Sequence, residues 1–203
     1  GFGNKTGIDI TEEVAGVVPD TKYYNKRYGK NGWTQGFLVS LGIGQGELSV
    51  TPMQLAFYTA LIANNGVSYQ PHIVKGYIKP GTKEIIPFKF PKINTGISQK
   101  TFDIVKKGMF LVVNGAGTAT AIKMNDIPIA GKTGTAQNPH GKDHAYFIGY
   151  APVDNPKIAI ACFVENVGFG ATWAAPIVKE VVHAYFNKNK NTVKDSIKVT
   201  NKR

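Results

Sequence analysis

The residues in this sequence whose types and spacing best suit chemistry are four in a row: Lys132, Thr133, Gly134 and Thr135. An ammonium beside hydroxyls makes a compact site for a carboxylate. Gly134 removes a side chain, so a ligand can lie flat against a strand edge and bond to backbone. Thr133 and Thr135 offer hydroxyls to that carboxylate, and the Thr135 amide can point at a developing oxyanion. Lys132 can hold a neighbouring nucleophile or general base in an electropositive field. The triplet Lys-Thr-Gly alone is weak evidence, because an ordinary strand end can carry the same letters.

Other candidates carry less. His140 and His144 are four apart, but Pro139 and Gly141 argue against a shared helix face, and a metal site needs more ligands than two. No metal and no cofactor is expected. Residues 140–143 lie after the Lys-Thr-Gly strand and could line a cleft, with His144 positioning that loop. His72 and His183 read as structural or surface residues. Gly42-Ile43-Gly44-Gln45-Gly46 lacks the Gly-Lys-Ser/Thr that would follow in a phosphate loop, so its glycines are read as serving tight backbone geometry. Phe147, Phe169 and Trp173 read as packing residues, and Gly168-Phe169-Gly170 as a mobile loop beside the cleft.

The elements that must position these residues are legible in outline. Residues 1–36 are rich in glycine and tyrosine and read as an irregular surface excursion. Thr51 followed by Pro52 is a helix start, since the threonine oxygen caps free amides and proline at the first position loses no hydrogen bond. That helix should run to about Asn64, where Asn64-Asn65-Gly66 stops it. It is apolar nearly all round, which predicts deep packing. Two short strands are expected around Pro80-Gly81, then a proline-broken extended segment over 87–95. Ser98 caps a second helix to about Val113, with Ile104, Val105, Met109, Phe110, Val112 and Val113 as its contacts. A further short helix is expected from Ala119. Asp126 to Ile129 then leads into the strand carrying Lys132. Strands over 145–150 and 157–165 follow as antiparallel neighbours, and a last helix from about Trp173 to Phe186 packs back on them. The class is α+β.

Composition narrows the function less than the motifs do. The chain has 203 residues, 42% of them hydrophobic and 18% charged, which suits a folded domain with a sizeable core. Its formal net charge is +11, but the excess is scattered or terminal, in Lys188, Lys190, Lys194, Lys198, Lys202 and Arg203. A nucleic-acid surface would need clustered basic and aromatic residues on one face, so no nucleic-acid partner is expected. The single cysteine, Cys162, lies in an apolar run and reads as a buried, inert thiol. No stretch is apolar for long enough to span a bilayer.

The context of the Lys-Thr-Gly triplet is more specific than the triplet. It extends to Gly131-Lys132-Thr133-Gly134-Thr135-Ala136-Gln137, follows Ile127-Pro128-Ile129-Ala130 and precedes Ala145-Tyr146-Phe147-Ile148-Gly149-Tyr150-Ala151-Pro152. This arrangement resembles the monofunctional (class B) penicillin-binding proteins, in which Lys-Thr-Gly is the third active-site motif. Four further pieces resemble that family and stand in its order. They are Thr6-Gly7-Ile8-Asp9-Ile10 with Glu13, Leu41-Gly42-Ile43-Gly44-Gln45-Gly46, Thr51-Pro52-Met53-Gln54-Leu55-Ala56, and Gly115-Ala116-Gly117-Thr118-Ala119. The resemblance covers most of the chain up to about Phe186. It is greatest to the penicillin-binding protein 2 branch of cell elongation, which Val164-Glu165-Asn166, a glycine-rich loop and a helix near Ala174 support.

The resemblance implies the penicillin-binding and serine beta-lactamase-like transpeptidase fold, with an antiparallel sheet flanked by helices. Residues 1–187 would be the C-terminal part of that domain and 188–203 a flexible basic tail. The family forms an acyl-enzyme on a serine from peptidoglycan stem peptides ending in D-Ala-D-Ala, and beta-lactams acylate the same serine. By residue-for-residue match, Lys132 supports the proton relay and electrostatics, Thr133 and Thr135 meet the substrate carboxylate across Gly134, and the Thr135 amide is one arm of the oxyanion hole. The family's Ser-x-x-Lys is absent here: Ser40, Ser49, Ser68, Ser98 and Ser196 have no lysine three residues on. The second motif, Ser-x-Asn or Ser-x-Asp, is absent too. The expectation is a fragment that starts after both and is inactive alone, with the upstream part of the domain as its partner, on the same or another chain. Family partners would be the stem peptide, beta-lactams and a membrane glycosyltransferase of the elongation machinery. The parent protein would be anchored in the bacterial inner membrane, its catalytic domain on the periplasmic side. The alternative is a non-catalytic beta-lactam sensor or binding module on the same fold.

Overall fold

A computed structural model describes residues 1–200, with side chains to Lys188. The chain forms two compact units, Gly1–Gln99 and Lys100–Arg203. In the first, α1 (Thr21–Tyr28), α2 (Gly36–Gly42) and α3 (Pro52–Ala63) precede four short strands. β1 (Val67–Tyr69) pairs antiparallel with β4 (Lys92–Asn94), and β2 (Gly76–Ile78) pairs antiparallel with β3 (Ile85–Pro87).

The expected irregular excursion over 1–36 is therefore partly helical. Asp20 accepts the Tyr23 amide at 2.7 Å and starts α1. The helix is polar and lacks an apolar period, so no sequence pattern marked it. One residue, Tyr24, anchors it: it is buried, stacks on Trp33 at 5.1 Å and meets Phe37 edge-on at 5.4 Å.

α3 forms where its cap signals place it. The Thr51 hydroxyl accepts the Gln54 amide at 3.1 Å, while Gln54 Oε1 accepts the Thr51 amide at 2.9 Å. Gln54 is buried and its amide nitrogen also donates to the carbonyls of Asn4 at 2.8 Å and Ala15 at 2.7 Å. The helix ends in Asn65 and Gly66, both at positive φ. Gly44 and Gly46 also take positive φ, as their reading as tight-geometry residues requires. Two of the acidic residues quoted above tie this unit together. Glu13 accepts from the Thr6 amide at 2.8 Å, the Thr6 hydroxyl at 2.6 Å and the Gly7 amide at 3.1 Å, and Asp9 from the amides of Ile73 at 2.6 Å and Val74 at 2.8 Å.

The second unit holds all but the first residue of α4 (Gln99–Asn114), then a 3-10 turn at Thr120–Ile122. Three strands follow in the order β5-β6-β7: β5 (Ala130–Ala136), β6 (His144–Ala151) and β7 (Ile158–Val164). Both pairings are antiparallel. α5 (Ala174–Thr200) packs on one face. On that face Ala145, Phe147 and Ala151 meet Ala174, Ala175, Val178 and Val182, with Ile158, Ile160, Cys162 and Val164 against them. The Phe147 ring also fixes a glycine: a Cβ on Gly131 would stand 2.3 Å from its Cζ.

Two expectations for the helices are corrected. On α4 the buried residues are Phe102, Met109 and Val113, whereas Ile104 is 64% exposed and Val105 and Phe110 also reach solvent. The apolar residues surround this helix on more than one side, and only tertiary packing selects the stripe. α5 runs past Phe186, because residues 187–200 contain no proline or glycine to stop it. Beyond Lys188 the side chains of the expected flexible tail, 188–203, lie outside the described residues.

Candidate active site

β5 is the outer strand of its sheet, so one of its edges pairs with β6 and the other has no strand partner among the described residues. Register fixes which way its side chains alternate. Lys132 and Gly134 stand opposite Ile148 and Tyr146, while Thr133 and Thr135 stand opposite Phe147 and Ala145, on the α5 face. Lys132 and the two threonines thus sit on opposite faces, and they share only the free edge. A ligand laid along that edge could reach both.

The Lys132 side chain bends to meet this geometry. It is exposed, and its Nζ donates to the Thr133 carbonyl at 2.8 Å and lies 3.4 Å from Thr133 Oγ1. Among the described residues it forms no ion pair. Thr133 Oγ1 is in turn 2.8 Å from Thr118 Oγ1. An ammonium and two hydroxyls therefore converge at one strand edge, all as hydrogen-bond donors or neutral acceptors, with no carboxylate among the described residues paired to the ammonium. This donor set suits an anionic ligand group.

The far half of the motif is set by packing. Gly134 faces Tyr146, whose phenol is pushed up by burial and by the nearby Glu165 carboxylate. Gly170, before α5, lies directly over this ladder: a Cβ there would stand 2.2 Å from the Tyr146 carbonyl oxygen and 2.4 Å from that of Gly134. Its amide reaches Thr135 Oγ1 at 3.5 Å. Deeper in the strand pair, burial pushes the Tyr150 phenol up to about 12, so it stays neutral.

Lys132, Thr133, Gly134 and Thr135 are all on β5 as expected. Residues 137–143 form the loop after it, and His144 opens β6. His72 stacks on Phe90 and His183 is exposed on α5, in line with structural or surface roles. Cys162 is half-buried, less so than expected, and burial raises its thiol. Phe147 packs in the core, but Phe169 is 70% exposed and Trp173 49% exposed, contrary to their reading as packing residues. Gly170 occupies the space against the sheet, which leaves its aromatic neighbours facing out. Thr118 is a site residue that only the fold reveals: its segment, Gly115-Ala116-Gly117-Thr118-Ala119, carries a family resemblance, but nothing in a linear pattern joins it to Thr133, 15 residues on.

This chain belongs to the penicillin binding protein transpeptidase domain family, which it matches over residues 1–183. It is similar to the peptidoglycan D,D-transpeptidase MrdA of Haemophilus influenzae, with 40% identity over 93% of this chain and 31% of that protein. Among solved structures it resembles Pseudomonas aeruginosa PBP2 in complex with WCK 5153, with 41% identity and a TM-score of 0.75 over 91% of this chain and 40% of the other. It likewise resembles Helicobacter pylori PBP2 in a complex with MreC, with 33% identity and a TM-score of 0.75 over 91% of this chain and 33% of the other. The chain spans about a third of the length of the curated relatives it matches. Among the described residues, no helix is long and apolar enough to cross a membrane.

Proposed function

We propose that these residues supply the Lys-Thr-Gly strand of a peptidoglycan D,D-transpeptidase whose serine nucleophile lies outside them. The observation that carries this reading is the convergence of Lys132 Nζ with the Thr133 and Thr118 hydroxyls at the free edge of β5. In the proposed reaction, the serine oxygen attacks the carbonyl between the last two D-Ala residues of a stem peptide and loses its proton to a neighbouring base. The amide C–N bond breaks and D-Ala leaves as a protonated amine. An amine from a second stem then attacks the acyl ester, forms the crosslink and returns the serine. Lys132 stabilises the charge on the reacting groups. Thr133 and Thr135 hold the terminal carboxylate across Gly134, and the Thr135 amide donates to the oxyanion. Beta-lactams would acylate the same serine.

Residues 1–187 are read as the C-terminal part of the transpeptidase domain and 188–203 as its basic tail. The parent protein would sit in the bacterial inner membrane with this domain outside it. There it would work with a membrane glycosyltransferase and other elongation proteins, as the MreC complex of the similar PBP2 suggests. The test is labelling by a fluorescent penicillin of the protein that carries these residues together with the serine. Lys132→Met should slow labelling by about 100-fold or more. Unchanged labelling would remove Lys132 from the mechanism.

A further inference from the structure

We infer that His144 and Asn166 are positioning residues for Thr135, acting through a clasp that fixes the loop before α5 against β5. The inference rests on the proposed role of Thr135 as a substrate contact.

Two loops meet here. One joins β5 to β6, and the other, which follows β7, contains Asn166, Val167, Gly168 and Gly170. Asn166 makes two bonds to this side, one to the first residue of β6 and one to the first loop. Its backbone amide donates to His144 Nδ1 at 3.1 Å, and its Oδ1 accepts from Asn138 Nδ2 at 2.6 Å. Its φ of 57° turns the chain at that point. The next two amides, of Val167 and Gly168, both donate to the Asp143 carbonyl, at 3.1 and 2.8 Å. The Asp143 carboxylate in turn accepts the Asn138 amide at 3.3 Å. Two residues beyond Gly168, Gly170 rests on the Gly134–Tyr146 ladder and points its amide at Thr135 Oγ1. The loop that meets Thr135 is therefore held on its other side by His144, Asn138 and Asp143.

The chemistry of His144 is specific. A ring nitrogen that accepts an amide proton carries no proton itself, so a neutral His144 bears its hydrogen on Nε2. The Phe163 ring, at 5.4 Å and edge-on, holds the imidazole in place. An asparagine could present its Oδ1 as an acceptor where Nδ1 stands. A leucine of similar size could not.

The experiment uses the serine-containing protein, with two readouts: hydrogen exchange at the Asn166, Val167 and Gly168 amides, and the rate of acylation by a fluorescent penicillin. His144→Leu should raise exchange and lower the acylation rate, each by about tenfold. His144→Asn should keep both within about twofold. The clasp is overturned if His144→Leu leaves both readouts unchanged, or if His144→Asn loses as much as His144→Leu. Should His144→Leu fail to fold, Asn166→Gly serves instead, since it suits the positive φ and removes the Asn138 bond. It should raise exchange at Val167 and Gly168, and unchanged exchange would overturn the clasp. If the unaltered protein takes no label, the transpeptidase reading fails, while exchange alone still decides the clasp.

Discussion

Thr118 and Thr133 share a hydrogen bond of 2.8 Å between their hydroxyls, across the turn that links α4 to β5. Two hydroxyls carry two protons, and one bond between them uses one. The other is left for an incoming acceptor, beside the Lys132 ammonium. Thr118→Val keeps the shape and removes the hydroxyl, so penicillin acylation should weaken by about fivefold to tenfold in apparent affinity. Thr118→Ser should restore it. Rates measured across a range of penicillin concentrations separate the affinity loss from a loss in the chemical step.

Gly170→Ala should be costly, because a methyl group there meets backbone carbonyl oxygens of Gly134 and Tyr146 and not a flexible side chain. The expected loss is about 1–3 kcal/mol of stability, read by urea denaturation, together with slower acylation. Gly108→Ala, within α4, is the control: a Cβ there meets nothing within 4 Å, so no loss of stability is expected.

Gln54 should matter more than the cap it completes. Thr51→Ala removes one cap and should cost about 1 kcal/mol. Gln54→Ala also strips buried partners from the Asn4 and Ala15 carbonyls and should cost about 2–3 kcal/mol, read by the same denaturation.

Acid should loosen the first unit before the core of the second. The amides of Val74 and Ile73 hold the Asp9 carboxyl below its ordinary 3.8, and the Thr6 hydroxyl and the Thr6 and Gly7 amides hold Glu13 below its ordinary 4.5. Both groups bind fewer protons folded than unfolded in this range. Their contribution is complete above the ordinary values and is lost as pH falls through the lowered ones. Protection of the Thr6, Gly7, Ile73 and Val74 amides, taken relative to the intrinsic exchange rate at each pH, should fall on acidification below about 4. Asp9→Asn should make Ile73 and Val74 exchange fast at neutral pH already.

Much of the scaffold was legible because its signals are local. Thr51-Pro52 and Asn64-Asn65-Gly66 bound α3, and the turn at Pro80-Gly81 separates β2 from β3. The apolar runs around Phe147 and Cys162 are strands because both pack under α5. α1 was not legible, since one buried aromatic among polar neighbours makes no periodic pattern. The exposed Ile104, on a helix apolar on several sides, shows the same limit from the other direction. At the site, the four motif residues could be placed from their letters. Thr118, Gly170 and the Asn138–Asn166 contact could not, because each depends on two segments distant in sequence that only the folded sheet brings together.

The most direct test of the central claim is intact mass after incubation with a fluorescent penicillin, on these 203 residues alone and with the serine-bearing segment present. The account predicts a covalent adduct only when that segment is present, located on the segment. An adduct on residues 1–203 alone would contradict the claim that the nucleophile lies outside them. No adduct with the segment present would contradict the transpeptidase reading.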